Sequence, residues 1–247
     1  MDHAGHFDRV AAAYAAGRPD YPAQVFDLLV EYGVFVPGSQ LLEIGAGSGQ
    51  ATCQLLDRGA VVDAVEPGPA LAAQLRERFA SRPLTVLEAD AETVPLSPGA
   101  YDGVVAATSF HWVDRDVVLP RLHTALRPGA RLVAWWTVFG DPRADTPFRR
   151  RVAEIARIHG LDGPRRNHAL DLDLWRSRLS TGGFFRPERA DLIRWTIDLT
   201  PGQLRDLFAT FPSWPAEAVA EIGRAASVEG EAVTEHYVTA IQVAARA

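Results

Sequence analysis

The sequence contains no lysine, a single cysteine and no long apolar run, and each shortage excludes a class of protein or site. All 25 basic side chains other than histidine are arginines, which we attribute to genome composition rather than to function. The lone Cys53 excludes an internal disulfide and a cysteine zinc site, and it favours a reducing, cytoplasmic setting. Cys53 itself is expected to be a small buried residue.

Membrane segments, secretory signals and nucleic-acid surfaces are not indicated either. No apolar stretch approaches the roughly 20 residues that span a bilayer, and the N-terminal MDHAGHFDRV lacks the apolar region of a signal peptide. The net charge of −6 comes without a basic stripe. The seven histidines show no metal-binding spacing such as H-E-x-x-H, so no metal is predicted. We therefore expect a cytoplasmic protein that binds neither a membrane nor nucleic acid, and that exists as a monomer or a homodimer.

Strand and helix patterns alternate through the first 138 residues. A helix is predicted over 22–36 from its apolar spacing. Apolar segments that favour strands then alternate with helical ones, at 40–44, 61–66, 84–90, 101–109 and 131–138. Such alternation with short loops predicts an α/β fold with a doubly wound, mostly parallel sheet.

The pattern breaks after residue 138. Residues 139–188 carry arginine clusters and prolines but no obvious strand, and they are predicted to form an inserted helical cap. Two late strands, about 189–199 and 236–244, bring the total to seven. We therefore expect a Rossmann-like core made of 1–138, which includes an N-terminal lid segment, and of 189–247.

Three glycines in LLEIGAGSGQ, residues 41–50, follow the first predicted strand directly. A tight turn needs about one glycine, so Gly45, Gly47 and Gly49 favour a loop that a ligand approaches closely. This loop lies at the carboxyl edge of the sheet, where α/β proteins bind ligands. The dinucleotide pattern G-x-G-x-x-G/A fails here, because its last position falls on Gln50.

The segment from Glu43 to Gly49 instead reads E-x-G-x-G-x-G, which resembles the first motif of the class I S-adenosylmethionine-dependent methyltransferases. The stretches AAAYAAGRPDYP, TSFHW, LRPGARL and EHYVTAIQVAARA are similar to a small-molecule branch of that family, which carries a methyltransferase type 11-like domain and includes trans-aconitate methyltransferases. The resemblance covers roughly residues 7–138. It implies methyl transfer from S-adenosylmethionine to a small molecule, at an oxygen of a carboxylate or hydroxyl, with S-adenosylhomocysteine as product.

The resemblance also implies which residues hold the cofactor. Glu66, at the end of the second strand, would accept hydrogen bonds from the ribose hydroxyls, although an exposed strand-end charge is the alternative. Asp90 would accept from the adenine amine, and its alternative is a turn cap. Arg18, in a lid with Tyr14, would pair with the methionine carboxylate unless it is an ordinary surface arginine. The remaining predicted contacts are Glu43, Gly45, Ala46, Gly47, Gly49, Pro67, Ala91, Thr108 and Phe110.

His111 in SFHW is the candidate base, since histidine titrates near neutral pH; a packing role beside Trp112 is the alternative. A substrate pocket is predicted from Tyr21, His111, Trp112, Trp135 and Trp136. If the last two alternate, one faces the cleft and the other a helix layer. Core packing of both tryptophans remains open.

Five arginines of the predicted cap stand in two clusters, Arg149 to Arg151 and Arg165 with Arg166. They would recognise an acidic substrate or form solvated helix faces. Two other functions also stay open: a nicotinamide-dependent oxidoreductase, which places an acid where Glu66 stands, and a non-methylating protein that keeps the cofactor fold.

Overall fold

The computed structural model describes residues 17–161 and 168–247, so the predicted cofactor contact Tyr14 lies outside the described residues, as do Arg165 and Arg166. Its centre is a seven-stranded sheet in the order β3-β2-β1-β4-β5-β7-β6. The strands are β1 (Gln40–Ile44), β2 (Val61–Val65), β3 (Leu84–Leu87), β4 (Tyr101–Ala107), β5 (Leu126–Phe139), β6 (Phe185–Leu199) and β7 (Val233–Arg246). Strands β1 to β5 pair in parallel, and β7 runs antiparallel to both of its neighbours. The predicted doubly wound sheet is thereby confirmed.

Eight α-helices in the described residues cover the sheet and one end of it. They are α1 (Ala23–Glu31), α2 (Gln50–Asp57), α3 (Pro69–Arg78), α4 (Arg115–Ala125), α5 (Pro147–Ile158), α6 (Leu172–Leu179), α7 (Pro201–Ala209) and α8 (Ala216–Glu229). Helices α1, α2 and α3 share a core with one face of the sheet, and α4 and α6 share a core with the other. None of these helices is both long and apolar enough to cross a membrane.

Apolar spacing explains why the first helix lies where it does. Val25, Phe26 and Leu29 are completely buried on one side of α1, as expected of an amphipathic helix whose apolar stripe faces the core. The helix is shorter than the predicted 22–36, because Gly33 takes a positive φ of 64° and turns the chain towards β1. The third strand is also shorter than predicted, since the carbonyl of Asp90 accepts from the amide of Val94 and closes a turn there.

The segment predicted as a cap divides between two layers. Helix α5 joins α7 and α8 in a separate apolar cluster that includes Phe148, Ile222 and Tyr237. Helix α6 instead packs on the sheet, and its Trp175 stacks on Trp136 of β5 with ring centroids 3.8 Å apart. The chain between β5 and β6 therefore contributes one helix to the core layer and one to the cluster at the end of the sheet.

Candidate active site

The glycine loop is shaped first by its protein neighbours. A Cβ at Gly45 would lie 2.6 Å from the Cβ of Ser109, and a Cβ at Gly49 would lie 2.6 Å from the ring of Phe79. Both residues also have positive φ, 69° and 87°, which side chains disfavour. Gly45 and Gly49 are thus required by packing and backbone conformation before any ligand is considered.

Glu66 ties the loop to the next helix. Its Oε2 accepts from the amide of Gly47 at 2.8 Å, and its Oε1 accepts from the amide of Gly68 at 2.9 Å. The side chain lies at the end of β2 and the residue is only 6% exposed, so the alternative of an exposed strand-end charge is excluded. Because each carboxylate oxygen can accept more than one hydrogen bond, this geometry leaves acceptor capacity for a ligand hydroxyl.

Glu43 lies completely buried beneath the same loop. Its Oε2 accepts from the hydroxyl of Thr52 in α2 at 2.7 Å. Its Oε1 has no hydrogen-bond partner among the residues that the structure describes. Burial is the main cause that raises the pKa of Glu43 to about 8, and the nearby Glu66 charge adds to it. This acid therefore holds the start of α2, and its second oxygen is a buried polar atom that a bound group can satisfy.

Asp90 follows β3 at the same edge of the sheet and is exposed. The turn after it is closed through its backbone carbonyl, which accepts from the amides of Thr93 and Val94. Its carboxylate accepts no hydrogen bond within the described chain. The turn-cap alternative is therefore not realised, while Ala91 is buried in the core beside it.

A cleft that is partly open to solvent lies beside the loop, and the empty space between its walls, open solvent included, is about 330 Å³. It is lined by Arg18, Pro19, Tyr21, Gln50, Thr108, Thr137, Phe139 and Trp195. Thr108 and Thr137 come from the carboxyl ends of β4 and β5. Trp195 comes from β6, a strand for which sequence analysis predicted no site residue. No acidic residue lines the described part of this cleft, and the described residues contain no group of His, Cys, Asp and Glu suited to a metal ion.

Arg18 enters the cleft between two aromatic rings. Its guanidinium carbon lies 4.8 Å from the ring centroid of Phe139 and 5.0 Å from that of Phe211. Such stacking orients a guanidinium, and the planar fork of this group is suited to pairing with a carboxylate. Nearby, the hydroxyl oxygens of Tyr21 and Thr108 are 3.0 Å apart. Arg18 therefore lines the cleft and is not an ordinary surface arginine.

The adjacent tryptophans of β5 face opposite sides of the sheet, as their alternation predicts. Trp135 is completely buried and meets the ring of Tyr21 edge to face at 5.6 Å, just below the cleft. Trp136 lies in the opposite helix layer, stacked on Trp175. The prediction that Trp136 lines the substrate pocket is corrected, because strand alternation turns its side chain to the other face.

His111 accepts a hydrogen bond at Nδ1 from the indole Nε1 of Trp136, at 3.1 Å. An indole nitrogen can only donate, so the neutral imidazole carries its own proton on Nε2. In this arrangement the ring's lone pair is already occupied, and His111 offers an N–H rather than a basic nitrogen. His111 and the half-exposed Trp112 are not among the residues that line the cleft.

Other predicted residues are placed less directly. Phe110 is fully buried in the core, so its side chain is taken up by packing. Cys53 is partly exposed rather than buried, because α2 directs it towards Asp57, with its sulfur 3.7 Å from Asp57 Oδ2. Of the first arginine cluster, Arg149 pairs with the buried Glu235 and Arg150 pairs with Asp145 at the surface.

Comparison with known proteins decides the family. A methyltransferase-domain family model matches residues 42–134. An uncharacterized methyltransferase of Mycobacterium tuberculosis strain H37Rv is 35% identical over 205 residues, which are 83% of this chain and 75% of that relative. The chain belongs to the class I S-adenosylmethionine-dependent methyltransferases. It is an enzyme, and this assignment replaces the nicotinamide-dependent alternative.

Solved structures agree with the fold of this methyltransferase. A proposed type II methyltransferase from Anaeromyxobacter dehalogenans gives a TM-score of 0.67 at 25% identity, over 93% of this chain and 97% of that one. Phosphoethanolamine N-methyltransferase 2 of Haemonchus contortus, in complex with S-adenosylhomocysteine, gives a TM-score of 0.57 at 16% identity. The match covers 97% of this chain and 57% of that one. At that lower identity the likeness supports the fold alone.

S-adenosylmethionine is the cofactor of this methyltransferase, and the polar groups along the carboxyl edge of the sheet fit it. Strands β3, β2, β1 and β4 are consecutive in the sheet, so Asp90, Glu66, the glycine loop and Thr108 follow one another along its carboxyl edge. Acceptors for the amine and hydroxyls of a nucleoside therefore stand at one end of this row. The buried, unpartnered Oε1 of Glu43 lies beneath its middle, and the cleft opens at the other end.

Proposed function

We propose that this enzyme methylates an oxygen, of a carboxylate or hydroxyl, on a small molecule held in the cleft. The observation that carries the proposal is the row of groups at the carboxyl edge, which ends in a walled cleft beside Thr108. The cleft is small, is lined by aromatic rings and hydrogen-bond donors, and suits a compact ligand better than a macromolecule. A cytoplasmic monomer or homodimer that does not bind nucleic acid is part of the proposal.

Each part of the row has a proposed role toward the cofactor. Asp90 and the amide of Ala91 hold the adenine, and Glu66 with Pro67 holds the ribose. The loop from Gly45 to Gly49, with Ala46, supports the methionine part, and Glu43 orients that loop through Thr52. Arg18, fixed between two rings, pairs with the methionine carboxylate, and Tyr14 belongs to the same proposed lid.

Methyl transfer then depends mainly on alignment. The cofactor supplies a methyl group already activated on a sulfonium, so the protein needs to orient the acceptor and exclude water. Holding two reactants in line is worth up to about 7–11 kcal/mol of the barrier. Tyr21 and Thr108, joined through their hydroxyls, form part of the cleft wall where the acceptor is oriented.

The proposal is tested by calorimetric titration with S-adenosylhomocysteine and, separately, with NAD. We expect binding of the first and none of the second, and about a 100-fold weaker interaction in Glu66→Gln, which keeps the side-chain shape but offers one acceptor oxygen instead of two. A release assay for S-adenosylhomocysteine with a small-acid and alcohol library then addresses the acceptor. Cofactor binding without methyl release to any acceptor would instead support the non-methylating alternative.

His111 stays a predicted catalytic residue, and its variants discriminate between roles. If it removes a proton, His111→Ala loses turnover while keeping affinity for S-adenosylhomocysteine. Trp136→Phe removes the N–H that occupies Nδ1, so a basic His111 becomes more active in that variant and its pH profile shifts. Unchanged turnover in His111→Ala would remove this residue from the chemistry.

A further inference from the structure

Three side chains from three strands form a hydrogen-bonded line along the floor of the cleft. Thr137 of β5 stands opposite Thr239 of β7, and their hydroxyl oxygens are 2.8 Å apart. Trp195 of β6 reaches diagonally to the same Thr239, with its indole Nε1 at 3.0 Å from the hydroxyl. Thr239 is completely buried, whereas Thr137 and Trp195 both line the cleft.

The chemistry of these groups sets the direction of the line. The indole N–H of Trp195 can only donate, so Thr239 accepts from it. Thr239 has one proton to donate, and Thr137 is its only acceptor within the described chain. If Thr137 donated instead, the proton of Thr239 would be buried without a partner, which costs about 1–3 kcal/mol. Thr239 therefore donates to Thr137.

The proton of Thr137 is then left for the cleft. Thr137 makes no other hydrogen bond within the described residues, and its hydroxyl already accepts from Thr239. A fixed O–H donor therefore stands in the floor of the site, two residues beyond Trp135 on the same face of β5. Only a ligand with an acceptor atom can pair with this O–H; a protonated amine has no such atom and could use only the remaining lone pair of the oxygen.

The rest of the cleft has the same character. Arg18 contributes positive charge, the described lining contains no carboxylate, and Phe139 and Trp195 supply aromatic walls. A carboxylate attached to an apolar body is compatible with all of these groups.

We propose that Thr137 is the acceptor-binding residue that selects a carboxylate, on an organic acid whose apolar body packs between Phe139 and Trp195. This inference rests on the proposed methyl transfer and names its substrate class. Thr137 donates to one carboxylate oxygen, while the other oxygen forms the new O–CH3 bond. The electron pair of the breaking C–S bond stays on sulfur, and a neutral methyl ester results.

No proton leaves a carboxylate in this reaction, so no base is required. That requirement agrees with His111, whose lone pair is occupied by Trp136. Thr239 and Trp195 act as positioning residues, because they orient the hydroxyl of Thr137 without themselves donating to the acceptor group.

The test measures binding of defined probes to the full chain saturated with S-adenosylhomocysteine. The probes are butyrate, 3-phenylpropionate and indole-3-acetate, each with its matching primary alcohol and primary amine. We expect at least one acid to bind at least tenfold more tightly than its alcohol and amine, with the aromatic acids ahead of butyrate. Release of the corresponding methyl ester from S-adenosylmethionine, detected by mass spectrometry, is the second readout.

Variants locate the effect on one hydroxyl. Thr137→Val keeps the β-branched shape and should weaken the preferred acid about tenfold or more, the size expected for a hydrogen bond to a charged group. Thr137→Ser should stay within threefold of the wild type. Thr234→Val, on the exposed part of the same β7, is the matched control and should change nothing. All three variants should bind S-adenosylhomocysteine as the wild type does.

The Trp195 indole N–H resonance provides a readout of the line itself. Its shift should move when the acid is added to the wild type and should barely move in Thr137→Val. The inference is overturned if no acid binds, if an alcohol or amine matches its acid, or if Thr137→Val binds the acid unchanged. Failure of the wild type to bind S-adenosylhomocysteine would overturn the proposed function as well, so the two failures are distinguishable.

Discussion

The two halves of the carboxyl edge are built differently. The proposed cofactor half, at the ends of β1, β2 and β3, includes contacts that span 2 and 19 residues of chain, those of Glu66 with Gly68 and Gly47. The acceptor half, beyond β4, brings together residues far apart in the chain, such as Thr137 with Thr239 and Arg149 with Glu235. Under the proposed roles, cofactor binding is specified by residues that lie close together in the sequence, and acceptor choice by residues that only the tertiary structure brings together.

The largest effect on the free energy of unfolding is expected for a buried ion pair of the acceptor half, and an exposed ion pair beside it provides the comparison. Glu235 is completely buried, and Arg149 holds it through two guanidinium nitrogens. Arg149→Met leaves that carboxylate uncompensated and should lower the free energy of unfolding by about 3–5 kcal/mol. Burial already lowers the pKa of Arg149 to about 10, which reflects the cost of placing the guanidinium there.

Arg150 is the matched control, one residue away and paired with Asp145 at the surface. Arg150→Met should change the free energy of unfolding by no more than about 0.5 kcal/mol. The double variant Arg149→Met with Glu235→Leu should recover most of the loss, because both charges are then removed. Urea unfolding measures all three, and equal effects at 149 and 150 would contradict the buried pair.

A somewhat smaller effect is expected for the glycine loop of the cofactor half. Gly45→Ala adds a Cβ 2.6 Å from that of Ser109 at a positive φ, and it should cost about 2–4 kcal/mol from strain and overpacking. Gly38→Ala also has a positive φ but open space around it, so it should cost only about 1–2 kcal/mol. Thermal unfolding compares the two, and a loop that tolerates alanine at 45 as readily as at 38 would be inconsistent with this packing.

The last comparison concerns Glu43, and its effect appears as a pH dependence of stability rather than as a loss at one pH. Its pKa is raised from 4.5 to about 8 in the folded protein, so the native state keeps a proton that the unfolded chain releases above pH 4.5. Stability should therefore fall as pH rises from about 5 to 8, by up to about 1.4 kcal/mol per pH unit. Glu43→Gln removes this contribution, and its stability should gain on the wild type as pH rises. Denaturant unfolding at pH 5 and pH 8 measures the stability of both proteins. An equal change in stability between the two pH values in the wild type and in Glu43→Gln would refute the raised pKa of Glu43.

Sequence analysis predicted the sheet and most of the cofactor half because their signals are local. Strand and helix alternation specified β1 to β5, and the spacing of Glu43, Gly45 and Glu66 indicated the ligand edge. The sequence did not show why Gly45 and Gly49 must be glycines, because Ser109 and Phe79 approach them only in the folded protein. The motif therefore predicted a ligand loop without revealing why the fold needs glycine at positions 45 and 49.

The acceptor half was predicted poorly for a physical reason. Thr137, Trp195 and Thr239 become neighbours only through the pairing of β5, β7 and β6, and no sequence spacing reports that pairing. Trp136 was assigned to the pocket although alternation placed only one of the two tryptophans there. The parity of Trp135 and Thr137 on β5 was the available signal, since both lie on the face that carries the cleft.

The position of β7 has a consequence for how the protein is made. Among the described strands, β6 pairs with β7 alone, and β7 follows β6 along the chain. During synthesis on the ribosome, β1 to β5 can pair as soon as they emerge, whereas β6 waits for residues 233–246. The proposed cofactor edge can thus assemble during translation, but the proposed floor of the acceptor cleft forms only after β7 has left the exit tunnel.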